Sequence, residues 1–166
     1  MPIANSRIAR AATLALTLVV AAGCSGGSPS RPCTLVATMP GIGVHVAAPL
    51  ADGAGDVQAR VCQEGACRDV TARLQPATGT GANGCDGDVC SAVATPLPDK
   101  RGFLDLPGIT TAPALLTLTV RDASGAVLTT GEITVTPEET HPNGPDCGGG
   151  DAQAQVLVTA EAVTAL

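Results

Sequence analysis

The side chains that could do chemistry in this chain are few. They are seven cysteines (Cys24, Cys33, Cys62, Cys67, Cys85, Cys90 and Cys147), two histidines (His45 and His141) and fifteen Asp plus Glu. Cys62/Cys67 and Cys85/Cys90 repeat one spacing, with four residues between the partners. Close-spaced cysteine pairs suit either zinc, which takes four Cys or His ligands, or disulfides. Asp86 and Asp88, in the run Cys85-Asp86-Gly87-Asp88-Val89-Cys90, are hard oxygen ligands of the kind calcium takes, but the third acid and closing Glu of an EF-hand loop are missing. They are weak metal candidates and read better as a solvated turn. Met39, His45, His141 and Cys147 supply the ligand types of a blue-copper site without its closely spaced Cys, His and Met. His45, between Val44 and Val46, alternates outward on a strand and is expected at the surface.

Nucleophilic and nucleotide chemistry find no support. No Gly-x-Ser-x-Gly elbow, phosphate-binding glycine loop or dinucleotide fingerprint occurs, and Lys100 is the only lysine. Carbohydrate sites commonly use aromatic platforms, whereas Phe103 is the single aromatic side chain. A formal charge of -6 argues against nucleic acid, whose phosphates require clustered Lys and Arg. The expectation is a non-catalytic protein with no catalytic residue and no cofactor.

The elements that must position these residues read as short strands. Apolar residues at 45% and charged residues at 14% describe a folding chain of one domain. From Cys33 onward no 3.6-residue period persists. Alternating segments rich in Val, Thr and Leu recur between Gly, Pro and Asp clusters. Strands are expected at 34–39, 42–48, 56–63, 67–75, 102–106, 114–121, 126–135 and 152–163. Leu116, Leu118 and Val120 alternate with Thr117, Thr119 and Arg121, and a hairpin turn follows at Asp122-Ala123-Ser124-Gly125. Seven to eight such strands without helical crossovers predict an all-β, antiparallel β-sandwich of immunoglobulin-like architecture over residues 33–166. The segment 79–99 carries no strand pattern and reads as a long loop; with 136–151, the stretch 76–101 is an expected contact surface.

On these strands Cys62 and Cys67 fall on the polar face across a four-residue loop, close enough to bond. Cys85 with Cys90 would tie down the long loop, and elimination leaves Cys33 to Cys147, although six cysteines allow 15 connectivities. Closing the longest loop stabilises most in the chain-entropy model, by about 4 to 5 kcal/mol against roughly 2 for the short ones.

The N-terminal stretch reads as an address. Arg7 and Arg10 precede the uncharged apolar run Ala11 to Ala22, too short to span a bilayer and suited to a signal peptide over residues 1–23. The following Ala21-Ala22-Gly23-Cys24 and Ser25-Gly26-Gly27-Ser28-Pro29-Ser30 resemble the lipobox and tether of bacterial lipoproteins, with Ala21 where that family prefers Leu. The resemblance implies an acylated Cys24, a flexible tether over 24–32, and a domain exported to the outer face of the cytoplasmic membrane. Acylation would also account for the odd cysteine, and an oxidising compartment favours disulfides over zinc. Removing residues 1–23 leaves 7 basic against 15 acidic side chains, a formal -8, so the lipid rather than surface charge would hold the membrane.

Arg60-Val61-Cys62-Gln63-Glu64-Gly65-Ala66-Cys67-Arg68, Asp122-Ala123-Ser124-Gly125 and Pro142-Asn143-Gly144-Pro145-Asp146-Cys147 together resemble a group of small exported actinobacterial lipoproteins of unknown activity. The implied role is an interaction or structural module of the cell envelope, whose partner would be an envelope protein or cell-wall polymer. A cell-wall enzyme, which would need a buried carboxylate pair, is the least favoured reading, and the main alternative is a ligand- or metal-binding lipoprotein. It would use Asp86, Asp88, Glu138, Glu139, His141 and Asp146, and requires the two long loops to converge.

Overall fold

Alternation fixes the centre of the molecule. In the strand Ala114–Asp122, Leu116, Leu118 and Val120 are buried while Thr117 and Thr119 face outward. Val57, Ala59 and Val61 do the same in the strand Ala54–Gln63. A period of two with one apolar face yields half-buried strands, and two such faces pack into a core.

The computed structural model describes residues 33–166, and residues 34–166 form one unit. Its strands are β1 (Gly41–Val46), β2 (Ala54–Gln63), β3 (Ala66–Arg73), β4 (Gln75–Asp86), β5 (Val89–Asp105), β6 (Ala114–Asp122), β7 (Val127–Val135), β8 (Glu138–Glu139), β9 (Ala152–Val158) and β10 (Val163–Ala165), with one short helix, α1 (Leu50–Gly53), before β2. One sheet has the order β10-β9-β1-β5-β4, with β8 added at β9, and the other has the order β3-β2-β6-β7. The fold is an all-β sandwich whose strand pairs alternate between the two sheets. One cluster fills it, with Ile42, Val44, Leu104, Val156 and Val158 from the first sheet against Val57, Leu116, Leu118 and Val120 from the second. Gly102 allows the sheets to approach at one margin, because a Cβ there would sit 3.1 Å from Leu74 Cδ2 and 3.2 Å from the Arg73 carbonyl.

Several elements differ from the sequence expectation. Pairing is antiparallel throughout except that β1 runs parallel to β9, from Gly41 opposite Gln153 to Val46 opposite Val158. Residues 34–39 form no strand. Instead the Asn143 side chain stands in for a neighbouring strand: its Oδ1 accepts the Val36 N–H at 3.0 Å and its Nδ2 donates to the Val36 carbonyl at 3.0 Å, with the Thr34 hydroxyl also on Oδ1. The expected strand 152–163 breaks at Thr159, whose N–H bonds the Ala162 carbonyl to turn the chain into β10.

The largest departure is at 79–99, which is a β-ribbon and not a loop. β5 begins at Val89 and pairs with β4 from Asp86 opposite Val89 to Gln75 opposite Arg101. Only its last part, Lys100–Asp105, lies beside β1. The rest of β4 and β5 projects from the sandwich as two strands alone.

Candidate functional site

The cysteines mark the tips of two hairpins. Cys62 and Cys67 are directly opposed and disulfide-bonded, with Cα atoms 4.0 Å apart. The connection is tighter than the four-residue loop expected, since Gln63 pairs with Ala66 and only Glu64 and Gly65 turn. Both have positive φ, 50° and 82°, as a type I′ turn demands. Cys85 and Cys90 repeat the arrangement at the ribbon tip, also with 4.0 Å between Cα atoms. There Gly87, at φ 61°, opens the two-residue turn Gly87-Asp88. Cys147 is disulfide-bonded as well, so it has no thiolate to give copper. Cys24, the signal segment and the tether lie outside the described residues.

His45 is half-buried rather than an exposed surface ring. Its Nε2 lies 2.9 Å from Asp99 Oδ2, while Asp99 Oδ1 accepts the Ala48 N–H at 3.1 Å. The Ala48 N–H, then the His45 ring, hold the Asp99 carboxyl below its ordinary range. Asp99 is the residue at which β5 leaves β1, so this cluster pins the root of the ribbon. Lys100 reaches from the same place to the Ala54 carbonyl at 2.6 Å.

The polar residues of the metal-binding alternative do not come together. Glu138 and Glu139 pair with Gln153 and Ala152, at the Gly41 end of the first sheet, and His141 and Asp146 follow in the same segment. Asp86 and Asp88 sit at the ribbon tip, beyond the Val46 end. From Asp105, opposite Gly41, back to Val89 along β5 is on the order of 40 to 50 Å. Among the described residues, no three His, Cys, Asp or Glu side chains are placed to hold a metal ion. Glu138, Glu139, Gln153 and Gln155 line a shallow groove of about 460 Å³ beside β8 to β10.

On the outer face of the second sheet Arg60 pairs with Asp69 at 3.2 Å, Thr117 donates to Glu132, and the Thr119 and Thr130 hydroxyls meet at 3.4 Å. Asp56 Oδ1 and Arg121 Nε, opposed across β2 and β6, are buried there without a hydrogen-bond partner. The ribbon exposes apolar side chains instead. Val89 is 73% exposed, Val93 61% and Leu97 36%, apolar side chains that alternate with Ser91 and Thr95 along one face. At its root Arg73 and Arg101, both exposed, border an open groove of about 370 Å³ with Gln75, Thr78 and Phe103. These features define the class: a disulfide-stapled β-sandwich that carries a projecting ribbon. No family model matches the chain, and no curated protein or solved structure matches it.

Proposed function

We propose that this chain is a lipid-anchored, non-catalytic module on the outer face of the cytoplasmic membrane, and that it makes contact through the β4–β5 ribbon. The observation that carries the reading is the polarity of β1. Residues 34–40 enter the sandwich at the Gly41 end, next to Gln153 and Asp151, and the ribbon leaves from the Val46 end. Residues 34–40 and the ribbon therefore lie at opposite ends of the first sheet. The ribbon also has the chemistry of a contact element, with open strand edges, exposed Val and Leu, and a disulfide at the tip. The lipobox-like Ala21-Ala22-Gly23-Cys24 and the Ser/Gly stretch after it support an acylated Cys24 as the anchor.

Two measurements test this. Intact mass of the membrane-extracted protein is expected to begin at an acylated Cys24, and Cys24→Ser is expected to move the protein to the soluble fraction. A photo-crosslinking residue at Ser91 is expected to capture an envelope component, whereas one at Thr119 is not. Membrane retention of Cys24→Ser, or capture from Thr119 alone, would overturn the reading.

A further inference from the structure

We propose that the occupant of the ribbon is a second copy of this chain, two ribbons lying antiparallel so that each acidic tip meets the other's basic root. The inference rests on the ribbon being the contact element, and adds what it contacts. Between residues 77 and 98 the only charged side chains are Asp86 and Asp88, both at the tip and exposed. Arg73 and Arg101 stand at the other end, beside the groove with Gln75, Thr78 and Phe103. None of the ion pairs among the described residues uses any of these four side chains. An element with unlike charges at its two ends and an apolar middle is its own complement under a two-fold axis, because each contact is then made twice.

The middle fits the same arrangement. On one face of β5, Val89, Val93 and Leu97 alternate with Ser91 and Thr95, a stripe uncharged from tip to root. The facing strand supplies Gly79, Gly81 and Gly84, which leave the stripe uncovered. Pro76, Pro96 and Pro98 guard the root against edge pairing, but residues 77–95 hold no Pro, Lys or Arg, the usual guards of an exposed edge. A free two-stranded ribbon is marginal in water, and a second ribbon supplies both cover and edge partners.

A face about 30 Å long and two strands, or about 10 Å, wide buries roughly 300 Å² per copy, below the size of stable interfaces, which implies weak association in solution.

Sedimentation velocity of the full chain in density-matched detergent, from about 1 µM to about 1 mM, is expected to give a concentration-dependent dimer. Asp86→Lys with Asp88→Lys, or Arg73→Glu with Arg101→Glu, is expected to weaken it at least about tenfold. All four together are expected to restore it to within about threefold. Val93→Asp, at an exposed position that leaves circular dichroism unchanged, abolishes it. A wild-type chain monomeric throughout, or a four-fold swap that recovers nothing, overturns the inference. If the monomeric chain still crosslinks from Ser91 to another envelope component, the second copy is excluded and the ribbon remains the contact element. A ribbon silent in both experiments removes both readings.

Discussion

Asp99 and His45, 54 residues apart in sequence, meet at 2.9 Å where the ribbon leaves the sandwich, and the same carboxylate accepts the Ala48 N–H. One side chain thus joins the end of β1 to the start of the projecting part of β5. Asp99→Ala is expected to lower the melting temperature by a few degrees and to speed exchange of the Ala48 amide. Hydrogen exchange resolved to single peptides checks it. Unchanged protection at Ala48 would refute the pinning role.

Acid should act at two carboxylates. Asp122 accepts from the Ser124 hydroxyl at 2.7 Å and from the Ser124 and Ala126 N–H groups at 2.8 and 2.9 Å. The Ser124 hydroxyl first, then the Ala126 N–H, hold its pKa below the ordinary value, as the Ala48 N–H and His45 do for Asp99. A carboxylate with a depressed folded pKa contributes stability that is present above its unfolded pKa and lost as pH falls through the folded one. Thermal stability is therefore expected to fall below about pH 4. Asp122→Ala should flatten that limb, which a series of melting curves between neutral and strongly acid pH would reveal.

The two short disulfides should differ in reach. Cys62–Cys67 joins strands of the packed second sheet, so Cys62→Ser with Cys67→Ser is expected to cost about 2 kcal/mol of global stability. Cys85–Cys90 closes a ribbon that projects from the core, and its removal is expected to raise amide exchange across 79–95 while the main transition hardly moves. Denaturant unfolding followed beside hydrogen exchange separates the two. Equal global losses would show the ribbon to be energetically part of the sandwich.

Asn143 holds residues 34–36 through one donor and one acceptor. Asn143→Asp keeps the acceptor but cannot donate to the Val36 carbonyl, and Asn143→Ala removes both. Limited proteolysis at 34–39 is expected to accelerate in the order wild type, Asp, Ala. A rate independent of the substitution would mean that other contacts hold the segment.

What could be read from the chain followed from one-sided burial. β2, β3 and β6 alternate because one face packs, and Asp122-Ala123-Ser124-Gly125 turns because Asp and Gly have the right local chemistry. The Cys62/Cys67 spacing marks a hairpin tip for the same local reason, whereas Cys85/Cys90 reads as a tie within a loop and proves to close a second hairpin. The ribbon escaped because both faces of residues 79–97 are open to water, so its Gly, Ala, Thr and Ser carry no period of two. Residues 34–39 misled in the opposite sense, since Leu35 and Val36 look like strand yet lie exposed at the surface. Outward placement of His45 could be read from alternation. Its partner could not, because Asp99 lies within what looked like a loop and the pairing is set by the β1–β5 register.

The parallel pairing of β1 with β9 has a mechanical consequence. β1 is bonded on both edges, to β5 and β9, along its whole length. Were the chain pulled through residue 34 while the ribbon at the far pole was held, the load would run along the strand axes. Both ladders would then be sheared together instead of opening bond by bond. β1 is built to bear tension.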